Sequence, residues 1–545
     1  MQTKPEMRFF SSISVSFFIY LIFFNSLKIK AQNTDFSTDL PLIIINTNGQ
    51  EIVDEPKITA TLKIISNANG INRATDAPTG YNGRIGIEVR GSSSQYYPQR
   101  PFLFETRDEN GENLNVSILG LPEENDWILL SNYNDKSFMR NILGYKLFEL
   151  SGHYAPRAKL VDVIINNTYE GIYVLTEKIK QDKNRVDIAK LKPSDNAGDE
   201  VTGGYIFKID YWNENDSWKS PYSPIDHPAF EVHFVYHDPD WEELSFQQKD
   251  YIKNYVTSFE TALYGPDFKN LQKGYPNFID EESFIDYFIV SEISRNNDGF
   301  KKSRYFHKDK NGKIAAGPVW DFDWAWKNIN ECFIFKATNG SGWSYKINDC
   351  NPWVKSPGWM IQLFDDFYFR QKTNCRYFHL RETVLSNENI LGMVDSLYNV
   401  VKNAQLRHFG KYQILGINVG APEVDEQPQT FEGEVEKLKR WITLRLNWLD
   451  NNMLGDCNGE PPVELALGET FMVYPNPATS EINILAKDLI KQMQLFDFTG
   501  RQIYTSPSVF NKSFQINASA LSKGVYILKI KGVDGKTSTQ KVILK

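Results

Sequence analysis

The residues best suited to chemistry lie in two acidic clusters near the middle of the chain. They are Asn296-Asn297-Asp298 and Trp320-Asp321-Phe322-Asp323. Two strand-like runs joined by an Asn-Gly pair lie between the clusters and predict a β-hairpin, because a type I′ turn needs positive φ at both central residues. With a loop of two or of four residues, strand pairing brings Asp298 and Asp321 together at the open end. Two carboxylates placed there would bind a divalent cation that carries a phosphate.

Strand and helix patterns around this hairpin divide the chain into two parts. Period-two and β-branched runs dominate residues 41–209, apart from a helix predicted to begin at Ser137. Helical spacing follows, and Ser245 with Gln248 forms a capping box. We therefore expect an α+β fold with a β-rich first half, a helical second half and the acidic hairpin at their junction. Helices are predicted at about 245–263, 282–295, 359–380, 388–409 and 432–452.

A smaller unit is predicted after the linker at 455–468. Short strand-like runs punctuated by Thr499-Gly500 and Asp534-Gly535 fill residues 469–545. They predict a small all-β sandwich domain that carries no catalytic constellation.

Length and charge exclude several classes of protein. A chain of 545 residues can form two or more domains with substantial cores. Its charged fraction of 23% and apolar fraction of 41% are ordinary for folded proteins. The net charge of −8 argues against a nucleic-acid partner, which needs a cationic surface.

The first 31 residues predict a secretory signal peptide. Lys4 and Arg8 precede an apolar run from Phe9 to Leu27, and Ala31-Gln32 offers a cleavage point. A membrane anchor is the alternative, since the run approaches spanning length. No later segment is apolar enough to cross a bilayer, so no stable transmembrane segment is expected after cleavage.

The cysteines predict disulfides, because an exported chain passes through an oxidising compartment. Four are present, which allows three pairings, and Cys332 with Cys350 is the first choice because it closes a short loop. Their spacing does not indicate a structural zinc site.

Several pieces in order along residues 40–454 resemble the CotH family of secreted and spore-coat kinase-like proteins. This resemblance implies a kinase-like two-lobe domain over those residues. The matching pieces are Arg90-Gly91-Ser92-Ser93-Ser94, Asn132-Tyr133-Asn134-Asp135-Lys136-Ser137, Arg140-Asn141, Gly171-Ile172-Tyr173 with Glu177, Gly203-Gly204-Tyr205, Asn297-Asp298 and Trp320-Asp321-Phe322-Asp323.

The last stretch, 469–545, resembles the C-terminal sorting domain of the type IX secretion system of Bacteroidetes. The resemblance is carried by Tyr474-Pro475-Asn476-Pro477-Ala478, Gly524-Val525-Tyr526 and Lys541-Val542-Ile543. It implies an interaction with the secretion machinery and export through the periplasm, so that the protein is secreted or displayed on the outer cell surface.

The residues and the CotH resemblance together predict transfer of the γ-phosphoryl of ATP to a Ser, Thr or Tyr hydroxyl of a protein substrate. Asp298 would be the catalytic base, and Asp321 would bind Mg²⁺ or Mn²⁺ with Asp323 as a further ligand. Ser303 occupies the position, five residues after the catalytic Asp, where the kinase pattern has a second metal ligand, commonly Asn. The residues predicted to bind ATP are Arg90, Ser92, Ser93, Arg100 and Glu177.

A non-catalytic surface structural protein or adhesin is the alternative. It is favoured by Ser303, a weaker metal ligand than Asn, and by Arg100, which stands where related proteins carry Lys. Glu177 is equally well explained as an ion-pair partner in the core. Asp321 and Asp323 would, in the same alternative, bind Ca²⁺ structurally or cap strand ends. Glycoside hydrolysis by these two carboxylates is a weaker third hypothesis, because they lie only two residues apart.

Overall fold

A computed structural model describes residues 36–459, 470–506 and 511–545. The predicted signal peptide and residues 460–468 of the predicted linker lie outside the described residues. None of the helices within the described ranges is both long and apolar enough to span a membrane.

The strands are numbered in chain order. They are β1 Ser37–Thr38, β2 Leu42–Asn46, β3 Ile58–Ile65, β4 Asn72–Arg73, β5 Asn82–Val89, β6 Phe102–Arg107, β7 Val116–Ile118, β8 Leu121–Glu124, β9 Asp126–Ser131, β10 Ala158–Ile165, β11 Thr168–Glu177, β12 Tyr205–Ile209, β13 Ser217–Lys219, β14 His233–Asp238, β15 Arg304–Lys308, β16 Ile314–Ala316, β17 Phe471–Tyr474, β18 Glu481–Asp497, β19 Gln502–Thr505, β20 Asn511–Asn517, β21 Gly524–Gly532 and β22 Thr537–Leu544.

The helices confirm a helical second half. They are α1 Arg140–Leu150, α2 Phe246–Tyr264, α3 Glu281–Ile293, α4 Trp359–Leu363, α5 Phe367–Glu382, α6 Asn387–Val401, α7 Gln405–Lys411 and α8 Phe431–Asn452.

The chain divides into two compact units that are not the two halves of the sequence. Of the described residues, the first contains 36–187, 318–338 and 387–444, and the second contains 188–317, 339–386 and those from 445 onward. The fold is therefore mixed α/β, and the kinase-like two-lobe arrangement stays a prediction. The predicted domain limits, 40–454 and 469–545, also stay predictions.

A closed barrel forms the strand-rich part of the first unit. Its order is β10-β11-β9-β6-β5-β3-β2, and parallel pairing of Val163 with Ile43 closes it. Alternate residues of each strand, such as Ile85 and Ile87 of β5, are fully buried in one apolar core. Closure leaves no unpaired strand edge and places alternate side chains inside.

The second unit contains a five-stranded sheet of order β13-β14-β12-β15-β16. Aromatic rings cover it, and the Phe306 ring lies 5.2 Å from both Phe207 and Trp359. Helix α2 begins at the predicted capping box, in which the Ser245 side chain accepts from the Gln248 amide. Helix α3 is buried on all sides from Ser283 to Ile293, as expected of a central core helix.

The predicted hairpin forms, but its turn and register are different. His307 pairs with Ala315, so five residues connect the strands and the register is shifted by one from both predicted forms. Of the two turn residues, Asn311 has positive φ and Gly312 does not, which excludes a type I′ turn. Asp309 accepts a local hydrogen bond from the Lys310 amide and a tertiary one from the Ala189 amide, and the tertiary contact reshapes the turn.

The ladder of this hairpin does not extend to the acidic clusters. Its last pair is Phe306 with Ala316. Asp298 belongs to the second unit and Asp321 to the first. Strand pairing therefore does not place these two residues together, and their proximity stays a prediction.

The C-terminal domain is all-β, as predicted. A single long strand, β18, pairs with β17 and β20 near its start and with β19 and β21 near its end. The sequence predicted two separate strands there. The pairing with β20 and β21 is irregular between Leu485 and Gln492, where the two predicted strands were expected to part. One apolar core includes Ile484, Leu495, Ile516, Leu528 and Val542.

All four cysteines are disulfide-bonded. Cys375 of α5 is joined to Cys457 across 82 residues of sequence. Cys332 and Cys350 are also disulfide-bonded. This agrees with passage through an oxidising compartment.

A buried carboxyl group makes the stability of the second unit depend on pH. Glu260 of α2 is 1% exposed, and it accepts hydrogen bonds from the Trp359 indole at 3.0 Å and the Ser220 hydroxyl at 2.7 Å. Burial raises the pKa of Glu260 to about 7, although both hydrogen bonds oppose the shift. The folded protein therefore keeps a proton that the unfolded chain loses near pH 4.5.

Glu260→Gln is expected to stabilise the protein at pH 8 by about 3 kcal/mol and to change little near pH 4.5. The raised pKa of Glu260 means that wild-type stability falls as pH rises from the unfolded to the folded value. The amide stays neutral, and it can accept from the Trp359 indole while its NH₂ group donates to the Ser220 hydroxyl. Urea unfolding of the full chain at both pH values tests this, with exposed Glu214→Gln as the control. Equal stabilities at pH 8 would contradict it.

Candidate functional site

Aromatic side chains anchor the loop that carries Asp321 and Asp323 within the first unit. Trp320 stacks on Tyr145 of α1 with ring centroids 5.6 Å apart, and Phe322 is fully buried. The Phe322 ring packs against Gly144, where a Cβ would come within 2.5 Å of it. The large side chains are thus buried on α1, while the two carboxylates between and after them stay half-buried.

Two asparagines of the predicted CotH motif hold this acidic loop. The Asn141 side-chain oxygen accepts a hydrogen bond of 2.8 Å from the Phe322 amide. The Asn134 side-chain amide donates to Oδ2 of Asp323 at 2.9 Å. A neutral donor fixes the Asp323 carboxylate without cancelling its charge, so the loop keeps the oxygen chemistry that a hard cation prefers.

A buried ionic cluster supports the same loop. Lys327, at the end of the loop, donates to the Asn134 carbonyl at 3.1 Å and lies 3.4 Å from Glu423. Each member is at most 6% exposed at its side chain. The cluster consists of Asp135, Lys136, Arg140, Lys327, Glu423, Glu434 and Lys437.

The charges in this cluster compensate one another. Burial alone would raise the pKa of Asp135, but the Arg140 guanidinium and the Ser137 hydroxyl lower that pKa below its ordinary value. Burial likewise opposes the shift at Glu423, whose pKa Lys327 and Lys437 lower strongly. Arg140 also donates to the Ala325 carbonyl at 3.1 Å, which ties the cluster to the backbone of the acidic loop.

Asp298 lies in a tight turn between α3 and β15 in the second unit. Asp298 is 5% exposed. Its carboxylate lies 3.4 Å from the Lys301 ammonium and 3.3 Å from the Lys302 ammonium. Lys301 also donates to the Asn297 side chain at 2.8 Å. Two nearby cations favour the ionised carboxylate, which is the form that a general base requires.

A buried arginine holds the far side of this turn. Arg304 is 1% exposed and lies between the rings of Tyr287, Phe300 and Phe306 at 4.9–5.4 Å. Among the described residues it has no acidic partner, and burial lowers the pKa of Arg304 to about 10. We call Arg304 and these three rings the Arg304 cage. The Tyr287 hydroxyl donates to the Gly299 carbonyl at 2.7 Å, so the cage fixes the backbone next to Asp298.

Backbone strain is concentrated in the motif segments. Among the described residues other than Gly, Asn and Asp, positive φ occurs at Leu119, Phe138, Arg295, Ser303 and Trp326. Only Leu119 lies outside the segments 132–141, 295–303 and 320–327, which contain or adjoin the motifs. Asp321 also has positive φ, at 65°. Such conformations cost about 1–3 kcal/mol each and are common at functional sites.

The predicted ATP-binding residues lie in different environments of the first unit. Arg90 lies 5.5 Å over the Trp320 ring and so reaches the acidic loop, while Ser92 and Ser93 are exposed. The Arg100 side chain is 49% exposed and lies 3.8 Å from Glu51.

Glu177 is held in the interior of the first unit. It is 1% exposed, and its carboxylate accepts from the Tyr154 hydroxyl at 3.0 Å and from Arg157 Nε at 3.1 Å. These contacts agree with the ion-pair alternative. Roles in ATP binding for all five residues stay predictions, as does metal binding by Ser303, which directly precedes β15.

The sequence motifs did not reveal which residues support the site. The motifs assign no role to Asn134, Asn141 and Lys327. They also assign none to Lys301 and Lys302, which contact Asp298. One signal was available, namely the density of polar residues between two apolar elements at 132–141. Buried polar residues need hydrogen-bond partners, so such a run indicates a polar network.

Comparison with known families defines the class of this protein. Residues 87–449 match the family described as CotH kinase protein, which covers most of the chain, and the chain belongs to that family. Residues 472–545 match the secretion system C-terminal sorting domain. The protein is thus exported to the cell surface or secreted, and the secretion machinery is its partner. No curated protein matches the chain significantly.

Proposed function

We propose that this protein is an exported CotH-type kinase that transfers the γ-phosphoryl of ATP to a protein hydroxyl. Family membership supports the class. The observation that supports the activity is that, in each predicted acidic segment, neighbouring side chains hold a charged carboxylate in place. Asp298 is ion-paired on a strained turn, and Asp323 is fixed by the neutral amide of Asn134.

The donor set of the acidic loop fits a hard divalent cation. Asp321 is half-buried, and Asp323 is engaged by one amide through Oδ2. Carboxylate oxygens are the ligands that Mg²⁺ and Mn²⁺ take in phosphoryl-transfer sites. In this proposal Asp321 and Asp323 hold the ion, which neutralises charge on the triphosphate when bound.

The remaining residues of the proposed site either move the proton of the acceptor hydroxyl or hold the reacting groups in position. Asp298 accepts the proton of the acceptor hydroxyl as that oxygen attacks the γ-phosphorus, the bond to the β–γ bridging oxygen breaks and ADP leaves. Lys301 and Lys302 keep the carboxylate ionised, and the Arg304 cage holds the turn. Asn134 and Asn141 keep the acidic loop in the geometry that ion binding needs.

MgATP is expected to raise the melting temperature of the full chain, because a ligand that binds only the folded state stabilises it. At 100 times its dissociation constant the gain is about 2.7 kcal/mol. Asp321→Asn is expected to remove the shift while the melting temperature without ligand changes little. Differential scanning calorimetry measures both.

The matched control for this measurement is Glu149→Gln on α1. Its side chain is 47% exposed in an ion pair with Lys146, so the variant should keep the full shift. A shift that survives Asp321→Asn would remove Asp321 as the metal ligand. No shift with either Mg²⁺ or Mn²⁺ would remove the kinase proposal.

The second candidate is a non-catalytic surface structural protein or adhesin of the same family. The environment of Glu177 favours it, because Arg157 and Tyr154 already engage this buried carboxylate. The exposed Arg100 favours it as well. Absence of any MgATP shift in a folded chain is the result that this candidate expects.

A further inference from the structure

A group of metal-ligating side chains lies in the second unit, outside the proposed kinase residues. Asp226 and His227 are neighbours in sequence, and Asp349 comes from a distant segment. One ligand atom from each lies within 4.8 Å of the others. His227 Nε2 is 2.9 Å from Asp349 Oδ1 and 3.8 Å from Asp226 Oδ2.

These separations suit a shared ion. Ligand atoms about 2.1 Å from a tetrahedral ion lie about 3.4 Å from one another. The two measured separations lie on either side of that value. Small rotations of three side chains would therefore complete three positions of a coordination shell, with water as the fourth ligand.

The charge of the two carboxylates is not balanced by a base. Within the described part of the chain, neither Asp226 nor Asp349 has a Lys or Arg ion-pair partner. The nearby Lys355 ammonium instead donates to Asn351 at 2.7 Å and lies 4.1 Å over the Phe230 ring. Two carboxylates beside one imidazole thus leave a local negative charge that a cation would neutralise.

His227 and the segment that carries Asp349 are held in place before any ion binds. His227 stacks on Phe230 with ring centroids 4.8 Å apart and nearly parallel planes. Asp349 lies in a short 3-10 helix, between the disulfide-bonded Cys350 and Asn348. Asn348 exchanges two hydrogen bonds with the backbone of Ser356, of 2.9 and 3.0 Å. Such support lowers the entropic cost of binding.

We propose that Asp226, His227 and Asp349 form a binding site for a transition-metal ion of the Zn²⁺ type. Nε2 of a neutral imidazole, with its proton on Nδ1, and one oxygen from each carboxylate are the protein ligands. An imidazole in the set favours Zn²⁺ over Mg²⁺ and Ca²⁺, which prefer oxygen alone. The ion links the segment around Asp226 to the 3-10 helix and so stabilises the fold of this unit.

Isothermal titration of the metal-free, untagged full chain with ZnCl₂ tests this site. Mg²⁺ is present in excess, so that oxygen-only sites such as the proposed one at Asp321 are occupied. One equivalent is expected to bind and to raise the melting temperature. His227→Gln and Asp349→Asn should each lower the affinity at least about tenfold, since even supporting residues of metal sites contribute that much.

Two control variants test whether zinc binding depends on these three side chains alone. Exposed His379→Gln should keep the full affinity, which excludes a general histidine effect. Asp321→Asn should also keep it, so that failure here and failure of the kinase proposal are distinguished. Two results would contradict the proposal: zinc binding that is unchanged in both His227→Gln and Asp349→Asn, or no zinc bound by the wild type. Either would mean that the three side chains form a surface ion pair and not a metal site.

Discussion

Asp298→Asn is expected to lower the rate of phosphoryl transfer by about 10²- to 10⁴-fold, the usual contribution of a general base. The amide keeps the size of the carboxylate but cannot accept the proton of the acceptor hydroxyl. Transfer from γ-labelled ATP to the chain itself, or to a generic protein acceptor, measures the rate. The MgATP melting shift should persist, because in this proposal Asp298 is not a ligand of the ion.

The control for this measurement is Glu214→Gln, an exposed carboxylate of the same unit. It should leave the rate unchanged. Transfer that continues at the wild-type rate in Asp298→Asn would remove Asp298 as the base. Loss of both transfer and the MgATP shift would instead indicate a damaged fold, which the melting temperature without ligand would show.

Asp135→Asn is expected to lower the free energy of unfolding by about 3–5 kcal/mol at pH 7. The change leaves Arg140 buried beside a neutral amide, and a buried charge without its counter-charge is costly. Because the pKa of Asp135 is lowered in the folded state, its contribution is present above the unfolded value of 3.8 and is lost as pH falls below it. The variant and wild type should therefore converge in acid.

Urea unfolding at pH 7 measures this loss, and Glu149→Gln on the neighbouring helix is the control. That residue forms an exposed ion pair with Lys146, which should contribute less than about 1 kcal/mol. If Asp135→Asn lowers the free energy of unfolding no more than Glu149→Gln does, the buried ionic cluster does not stabilise the fold as proposed.

Local patterns in the sequence were sufficient for much of the fold. The period-two runs of β3 and β5 and the capping box at Ser245 are decided by residues that are close in sequence. Helix α3 was predicted within two residues at each end. These elements depend on nearest neighbours, so one sequence is enough to recognise them.

Long-range pairing could not be read in the same way. Barrel closure depends on β2 and β10, which pair in parallel although more than 100 residues separate them. The hairpin turn depends on a hydrogen bond from the Ala189 amide to Asp309, and Ala189 lies far outside the turn. Nothing in the local turn sequence encodes that contact.

The candidate site shows the same division. The predicted hairpin and the CotH motifs single out Asp298, Asp321 and Asp323 from the sequence. The roles of Asn134 and Asn141 depend on contacts with a loop about 180 residues away, at Asp323 and Phe322. The sequence indicates which residues can act as ligands. The residues that hold those ligands in place are identified only from the contacts in the folded structure.

The disulfide between Cys375 and Cys457 has a mechanical consequence. Cys457 lies after the end of α8 and before the C-terminal domain, and the bond joins it covalently to α5. A pulling force applied through the sorting tail during translocation would reach this cross-link before it reached α8. The disulfide would transmit this force to α5. A pull on the tail would then not unfold α8, the last helix of the CotH region.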